Sequence, residues 1–172
     1  IVTRFDEDKV FILEIIEIFV KYICTIYNVK VEFILMGEGS LKEEFKNKLY
    51  HYIDNSIHHL TDRGWLTDDD LVDGYVNSDI VLAPGRSAIE AMSLGKCVIA
   101  VGSKYYIGLI NQESWQKAVY TNFGGIGNKM EDYTEGQIES EIDLLFSNDD
   151  IIYKHGVFAY KLTSQLYDDK KI

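Results

Sequence analysis

Residues 79–101 read DIVLAPGRSAIEAMSLGKCVIAV, and this stretch decides the fold class. Its apolar opening ends at Pro84, a residue that cannot donate to a strand ladder, and predicts a short buried strand. The spacing of residues 86–94 predicts a helix, which Gly95 terminates. Residues 96–101 are again apolar and predict a second strand. A strand, a helix and a strand in this order predict a parallel pair with the helix packed on one face.

The rest of the chain alternates in the same way. Ser40 and Glu43 have the spacing of a capping box, which predicts a helix that begins after Ser40. The other predicted elements are two strands and four helices: residues 1–5 and 31–36 as strands, and residues 9–27, 71–77, 134–146 and 150–167 as helices. Short apolar strands that alternate with helices predict an α/β fold, a doubly wound parallel sheet covered on both faces.

The composition limits the classes of function. The chain of 172 residues has 28 acidic and 17 basic residues, a formal net charge of −11. A field of that sign repels a phosphate backbone and excludes a broad nucleic-acid-binding surface. With 47% apolar and 26% charged residues, the chain has the composition of one globular domain.

One apolar stretch near the start raises the question of a membrane span, but Glu14, Glu17 and Lys21 interrupt it with helical spacing. That pattern is typical of a core helix with one polar stripe.

Cys24 and Cys97 lie far apart in apolar runs and indicate reduced thiols in a cytoplasmic protein. The four histidines lack the spacing of metal ligands and are interpreted as surface or half-buried residues, so no metal site is predicted.

Open parallel sheets bind ligands at the carboxyl ends of their strands, so the residues that follow each strand are the candidates for a site. Arg4 and Lys9 follow the first predicted strand and flank a helix start, where an anion is favoured. Gly37 and Gly39 follow the next strand and permit a close approach of the backbone to a ligand. The alternatives are surface charges paired with neighbouring acids, and a tight turn between a strand and a helix.

The third set of candidates opens the helix of the quoted stretch. Gly85, Arg86 and Ser87 expose backbone amides at the helix start, where they can meet a phosphate. Glu90 lies about one turn further, among small and apolar residues, and its carboxylate can accept two hydrogen bonds from a vicinal diol such as a ribose. The alternative is that Glu90 pairs with the N-terminus of its own helix.

Taken in order, these segments resemble the C-terminal half of group 1 (family 4) glycosyltransferases. The resemblance extends over roughly residues 1–125 and rests on these motifs: Arg4 and Lys9, residues 31–39 (VEFILMGEG), residues 79–84 (DIVLAP), residues 90–100 (EAMSLGKCVIA) and, for a subgroup, residues 122–125 (NFGG). Each motif is weak alone, and their order and placement at strand ends make the set more specific.

The resemblance implies the GT-B architecture, two Rossmann-like domains with a cleft between them. This chain is similar to the half that binds the nucleotide-sugar donor, a UDP- or GDP-sugar. Arg4 and Lys9 would then neutralise the diphosphate leaving group without a metal or other cofactor, and Glu90 would bind the ribose. Gly37 would let the donor approach, and the turn at residues 63–65 would lie near the base. The family's second glutamate, eight residues before the ribose-binding one, is replaced by Leu82.

By this resemblance, residues 1–172 are one donor-binding domain of a retaining, metal-independent hexosyltransferase, without the N-terminal acceptor domain. The isolated piece is expected to be inactive, and the full-length cytoplasmic protein to associate peripherally with a membrane. Without its partner domain, the last helix is expected to expose Phe158, Tyr160 and Leu162 in part. Two alternatives stay open: an enzyme half similar to UDP-N-acetylglucosamine 2-epimerase, and a non-catalytic α/β binding module.

Overall fold

The strand–helix–strand unit of residues 79–101 forms as the sequence predicts. A computed structural model of the chain describes residues 1–53, 56–127 and 133–167. The strands in these ranges are β1 (Val31–Met36), β2 (His58–Gly64), β3 (Ile80–Ala83), β4 (Cys97–Val101) and β5 (Tyr106–Leu109). The α-helices in the same ranges are α1 (Val10–Ile26), α2 (Lys42–Tyr50), α3 (Asp68–Val76), α4 (Gly85–Ser93), α5 (Trp115–Tyr120), α6 (Gln137–Ser147) and α7 (Asp149–Leu166).

Residues 1–5 join the strands into one layer. β1 pairs in parallel with β2, and β3 pairs in parallel with β4. Val2 lies between the two pairs, because it forms a parallel bridge with Met36 and its backbone N–H donates to the Leu82 carbonyl at 2.9 Å. The layer therefore runs β2, β1, residues 1–5, β3, β4, β5. The predicted strand over residues 1–5 is reduced to this single bridge residue, with further backbone hydrogen bonds from Thr3 and Phe5 to the carbonyls of Met36 and Glu38.

Alternate residues of the strands face opposite sides of the layer, as a doubly wound sheet requires. Leu82 and Ile99 pack with α1 and α6 in one core cluster. Val81 and Val98 pack with α4 and α7 in the other. Helices therefore cover both faces, and the predicted α/β class is confirmed.

Two strands were not predicted. β2 has the polar sequence HHLTDRG and is mostly half-buried at the edge of the layer, so it lacks the apolar run that marks a buried strand. β5 lies in a segment for which no strand was predicted, and it pairs antiparallel with β4. A short turn separates β4 from β5, and a connection that short joins antiparallel neighbours.

Three local expectations were wrong. Ser40 does not cap α2, because its backbone N–H donates to Asp6 Oδ1 at 3.0 Å and Leu41 occupies the cap position. His58 is 2% exposed rather than at the surface. On the last helix, Leu162 is 7% exposed and thus buried in the core, whereas Phe158 is half-buried and Tyr160 is 53% exposed, as expected.

The polar stripe of α1 contacts α2 and the turn that follows it. The Glu17 carboxylate accepts a hydrogen bond from the Tyr52 hydroxyl at 2.8 Å and pairs with Lys48 at 2.5 Å. In the part of the chain that the structure describes, no helix is both long and apolar enough to cross a membrane.

Candidate functional site

The carboxyl ends of the central strands meet at one edge of the sheet. Ile1, Val31 and Ile80, at the amino ends of neighbouring strands, line a common cavity of about 460 Å³ at the opposite edge. None of the candidate site residues, which follow the carboxyl ends of the strands, lines this cavity. Arg4, Gly37 and Gly85 lie where the strands end, so the fold places the three predicted segments along one edge.

Residues 4–9, here called the cation loop, bring both predicted cations to one point. Arg4 Nη2 lies 2.9 Å and Lys9 Nζ 2.8 Å from the same oxygen, Asp8 Oδ2. The hydrogen bond from Lys9 is the main cause that lowers the pKa of the Asp8 carboxyl. In the free chain the two cations are therefore paired with a neighbouring acid, which is the alternative that the sequence left open. Phosphate oxygens are also commonly held between two such cations in proteins.

Gly37 and Gly39 are required by packing within the chain. A Cβ on Gly37 would lie 1.8 Å from the Thr3 carbonyl oxygen, and one on Gly39 would lie 2.3 Å from the Phe5 carbonyl oxygen. The space that these glycines leave open is filled by the backbone of residues 3–5, which leads directly into the cation loop. Their contact with a donor stays a prediction.

A charged network that the sequence analysis missed holds the loop after β1 to the end of β2. Lys42 is 4% exposed, and its Nζ lies 2.9 Å from Glu38 Oε1 and 2.6 Å from Asp62 Oδ1. Lys46 reaches the other Asp62 oxygen at 3.0 Å. Burial raises the pKa of the Asp62 carboxyl, but hydrogen bonds from Lys42 and Lys46 outweigh it, and the net shift is downward. The network therefore stabilises the ionised carboxylate.

The turn after β2 was expected near the base of the donor. Trp65 is 64% exposed at this turn, and Arg63 pairs with Asp73 at 3.0 Å. The structure therefore leaves the Trp65 ring accessible at the carboxyl edge, and its contact with a base stays a prediction.

Glu90 lies at the centre of a second group of residues, here called the Glu90 cluster: Tyr75, Arg86, Ser87 and Glu90. The Tyr75 hydroxyl donates to Glu90 Oε2 at 3.2 Å, and Arg86 Nε donates to Glu90 Oε1 at 2.7 Å. Burial raises the pKa of the same phenol, and interaction with the Ser87 side chain lowers it. The Arg86 side chain is 91% exposed and that of Glu90 is 31% exposed. Glu90 thus pairs with side chains on two sides, and its outer oxygen faces an exposed partner.

The start of α4 lies beneath a left-handed turn. Asn122, Phe123 and Gly124 all have positive φ, at 49°, 53° and 85°. A Cβ on Gly85 would lie 3.5 Å from Asn122 Nδ2, so the Asn122 amide stands over the helix start. Phe123 is 1% exposed and anchors the turn in the core. Sequence reasoning noted the Asn-Phe-Gly-Gly motif but did not place it beside Gly85.

Leu82, at the position of the family's second glutamate, is 9% exposed inside β3. The Leu82 side chain therefore packs in the core and does not reach the carboxyl edge of the sheet. Among the described residues, no group of three or more His, Cys, Asp or Glu side chains is arranged to hold a metal ion.

No family model and no curated protein sequence matches the chain. Among solved structures, it is similar to a mutant of TarM from S. aureus in complex with fondaparinux, α-GlcNAc-glycerol and UDP, with a TM-score of 0.66 and 19% identity over 99% of this chain and 32% of that one. It is also similar to the catalytic domain of cholesterol-α-glucosyltransferase from Helicobacter pylori, with a TM-score of 0.62 and 12% identity over 96% of each chain.

The chain thus spans about a third of the TarM chain and nearly the whole of the second one. Its fold is the Rossmann-like fold of a GT-B glycosyltransferase domain, which confirms the fold expected from the sequence.

Proposed function

We propose that this chain is the donor-binding domain of a glycosyltransferase and binds the nucleoside diphosphate part of a UDP- or GDP-sugar at the carboxyl edge of its sheet. The observation that carries the proposal is the meeting of Arg4 and Lys9 on one carboxylate oxygen, at the same edge as Glu90. An acidic protein must bring cations together locally to hold a dianion, and Arg4 and Lys9 converge in this loop. The TarM structure, which contains UDP, has the same fold and supports this choice of ligand.

Each group has a distinct role in this proposal. Arg4 and Lys9 bind the diphosphate, whose oxygen replaces Asp8 Oδ2 between them. The backbone amides at the start of α4, from Gly85 to Ser87, add donors and the positive end of the helix dipole. Glu90 accepts the two ribose hydroxyls, and the exposed Arg86 is released from it.

The chemistry that these groups favour is departure of the nucleoside diphosphate from the sugar. Negative charge grows on the leaving diphosphate, and fixed cations with a helix terminus stabilise that charge without a metal ion. Hexosyl transfer with retention, to an acceptor held by a separate N-terminal domain, is part of the proposal. The chain by itself is expected not to transfer sugar, since the paired carboxylates or nucleophile–base sets that would act alone were not found in its sequence.

The test is calorimetric titration of UDP, GDP and pyrophosphate into the wild-type chain and the variants Arg4→Ala, Lys9→Ala and Glu90→Gln. Loss of one charge-assisted phosphate contact is expected to weaken binding by about 1.5–3 kcal/mol, or roughly ten- to a hundredfold. Glu90→Gln is expected to weaken nucleotide binding while pyrophosphate binding stays unchanged.

Lys154→Ala is the control, since it removes one charge from an exposed position on α7. Equal affinity of wild type and all three site variants would contradict the assignment of the site. Failure of wild type to bind either nucleotide at millimolar concentration would contradict the function itself.

A further inference from the structure

Tyr75 is the one member of the Glu90 cluster that lies on α3 rather than on α4. The two helices are separated in the chain by β3, and the Tyr75 hydroxyl crosses between them to reach Glu90 Oε2. Tyr75 is 1% exposed, in the core cluster that α4 shares with α7. A phenol buried to this degree holds its hydroxyl in one place, because its ring is packed on all sides.

The two oxygens of Glu90 have different environments. Oε2 faces the buried phenol at 3.2 Å, and Oε1 faces Arg86 at 2.7 Å. The Arg86 side chain is 91% exposed, and an ion pair in such a position contributes little and exchanges readily. The inner bond therefore remains when a ligand replaces the outer one.

We infer that Tyr75 is a positioning residue, which holds the Glu90 carboxylate in the orientation that binds the ribose diol. The inference rests on the proposed function, because it assigns to Glu90 the ribose as its ligand. The distance of 3.2 Å is long for a phenol and a carboxylate, and such bonds commonly shorten when the ligand binds. When Arg86 leaves Oε1, the carboxylate settles on the phenol and presents its outer edge to the diol.

The state of the phenol is compatible with this role. Burial, reinforced by the nearby carboxylate, raises the pKa of Tyr75 to about 12, so the hydroxyl keeps its proton at neutral pH. The Ser87 side chain, in the first turn of α4, has the opposite effect and lowers the pKa of the phenol. The protonated hydroxyl is thus able to donate its hydrogen bond to Glu90 Oε2.

The fold contains a matched control. Tyr106, on β5, is 5% exposed, and its hydroxyl donates to Glu141 Oε2 on α6 at 2.7 Å. This pair has the same chemistry as Tyr75 and Glu90 but lies in the other core cluster, under α1 and α6. Tyr106→Phe therefore removes a buried bond from a tyrosine to a carboxylate without touching the candidate site.

The experiment measures recognition of the ribose. The affinities of wild type, Tyr75→Phe and Tyr106→Phe are compared for the nucleoside diphosphate that wild type binds, UDP or GDP, for its 2′-deoxy analogue and for pyrophosphate. Wild type is expected to prefer the ribonucleotide. Tyr75→Phe is expected to lose about three- to tenfold of that preference and to bind pyrophosphate as wild type does. Tyr106→Phe is expected to keep the full preference.

A double variant tests whether Tyr75 acts through Glu90. If it does, Tyr75→Phe has no further effect on the preference in a Glu90→Gln background. An unchanged preference in Tyr75→Phe, or an equal loss in Tyr106→Phe, would overturn the inference and leave the proposed function standing. Absence of nucleotide binding by wild type would overturn both. Thermal melts confirm that each phenylalanine variant is folded.

Discussion

The cation loop and the Glu90 cluster lie at the same edge of the sheet but are held there differently. In the cation loop, the Arg4 and Asp8 side chains are 53% and 54% exposed and that of Lys9 is 19% exposed, so the three charges pair with one another close to solvent. In the Glu90 cluster, an exposed arginine and a buried phenol share one carboxylate. The difference shows two ways to position a charged side chain. A hydrogen bond from a buried partner orients Glu90 directly. The position of Arg4 and Lys9 depends instead on the backbone of the residues that precede the loop.

That backbone is formed by residues 3–5, and its support comes from glycines. Gly37 and Gly39 pack without side chains against the carbonyls of Thr3 and Phe5. The cation loop therefore depends on packing one strand away, whereas Glu90 depends on a direct hydrogen bond. Three predictions test the contacts that hold the cation loop and its neighbours at this edge.

The largest effect is expected from Gly37→Ala. The new Cβ would lie 1.8 Å from the Thr3 carbonyl oxygen, and a φ of 141° is itself unfavourable for alanine. Residues 3–5 must then move away from β1, and we expect a loss of about 3 kcal/mol or more, or roughly 6–12 °C in the melting temperature. Differential scanning calorimetry measures both.

The control for Gly37→Ala is Gly95→Ala, where φ is 71° and no atom lies within 4 Å of the added Cβ. Gly95→Ala is expected to lose about 1–2 kcal/mol of stability from backbone strain alone, because its Cβ overlaps no other atom. Equal losses in the two variants would show that the contact with Thr3 does not support the cation loop.

A smaller and pH-dependent effect is expected from Asp62→Asn. Wild type is expected to exceed the variant in stability by about 1.5–3 kcal/mol at pH 7, because the buried Lys42 loses one of its carboxylate partners. The pKa of Asp62 is lower in the folded chain than in the unfolded one. The stability from its ionised form is thus fully present above about pH 4 and is lost as the pH falls through the folded pKa.

Thermal melts of wild type and Asp62→Asn from pH 7 to pH 3 test this sign. The difference between them should be constant down to about pH 5 and shrink below about pH 4. Glu43→Gln, at a partner of Lys46 that is 78% exposed, should change the melting temperature little at any pH. A difference for Asp62→Asn that stays constant to pH 3 would contradict the ionic origin of the effect.

The smallest effect, and a gain, is expected from Asp8→Asn. This change removes the charge that lies between Arg4 and Lys9 in the free chain, so pyrophosphate no longer competes with it. We expect pyrophosphate to bind about three- to tenfold more tightly, as measured by calorimetric titration.

Glu7→Gln is matched to Asp8→Asn, since it changes the net charge equally at the neighbouring exposed residue 7. Tighter binding confined to Asp8→Asn would show that its carboxylate occupies the phosphate position. An equal increase in pyrophosphate affinity in both variants would show that the effect comes from the change in net charge alone.

Much of the fold could be predicted because buried parallel strands are apolar runs. β1, β3 and β4 lie where those runs predict them. β2 was missed, since an edge strand with polar residues has no such signal. β5 was also missed, and its antiparallel direction depends on the turn that precedes it rather than on its composition.

The candidate site divides in the same way. Arg4, Lys9 and Glu90 were found because strand ends of a parallel sheet must meet at one edge. Tyr75 and the network of Lys42 with Asp62 were not found, since each pairs with a residue on a different element. No periodicity in the sequence indicates which of many tyrosines or lysines will face a given carboxylate.

By itself, the sequence determined the α/β class, the parallel core strands and the edge at which charged residues would gather. These follow from apolar runs and strand ends, which are properties of short segments. Only the tertiary structure showed which residues contact one another. Asp8 pairs with both cations, the Thr3 carbonyl packs against Gly37, and the buried Tyr75 donates a hydrogen bond to Glu90. The physical reason is that hydrogen bonds and steric overlap act over a few ångströms, and packing alone brings distant segments that close.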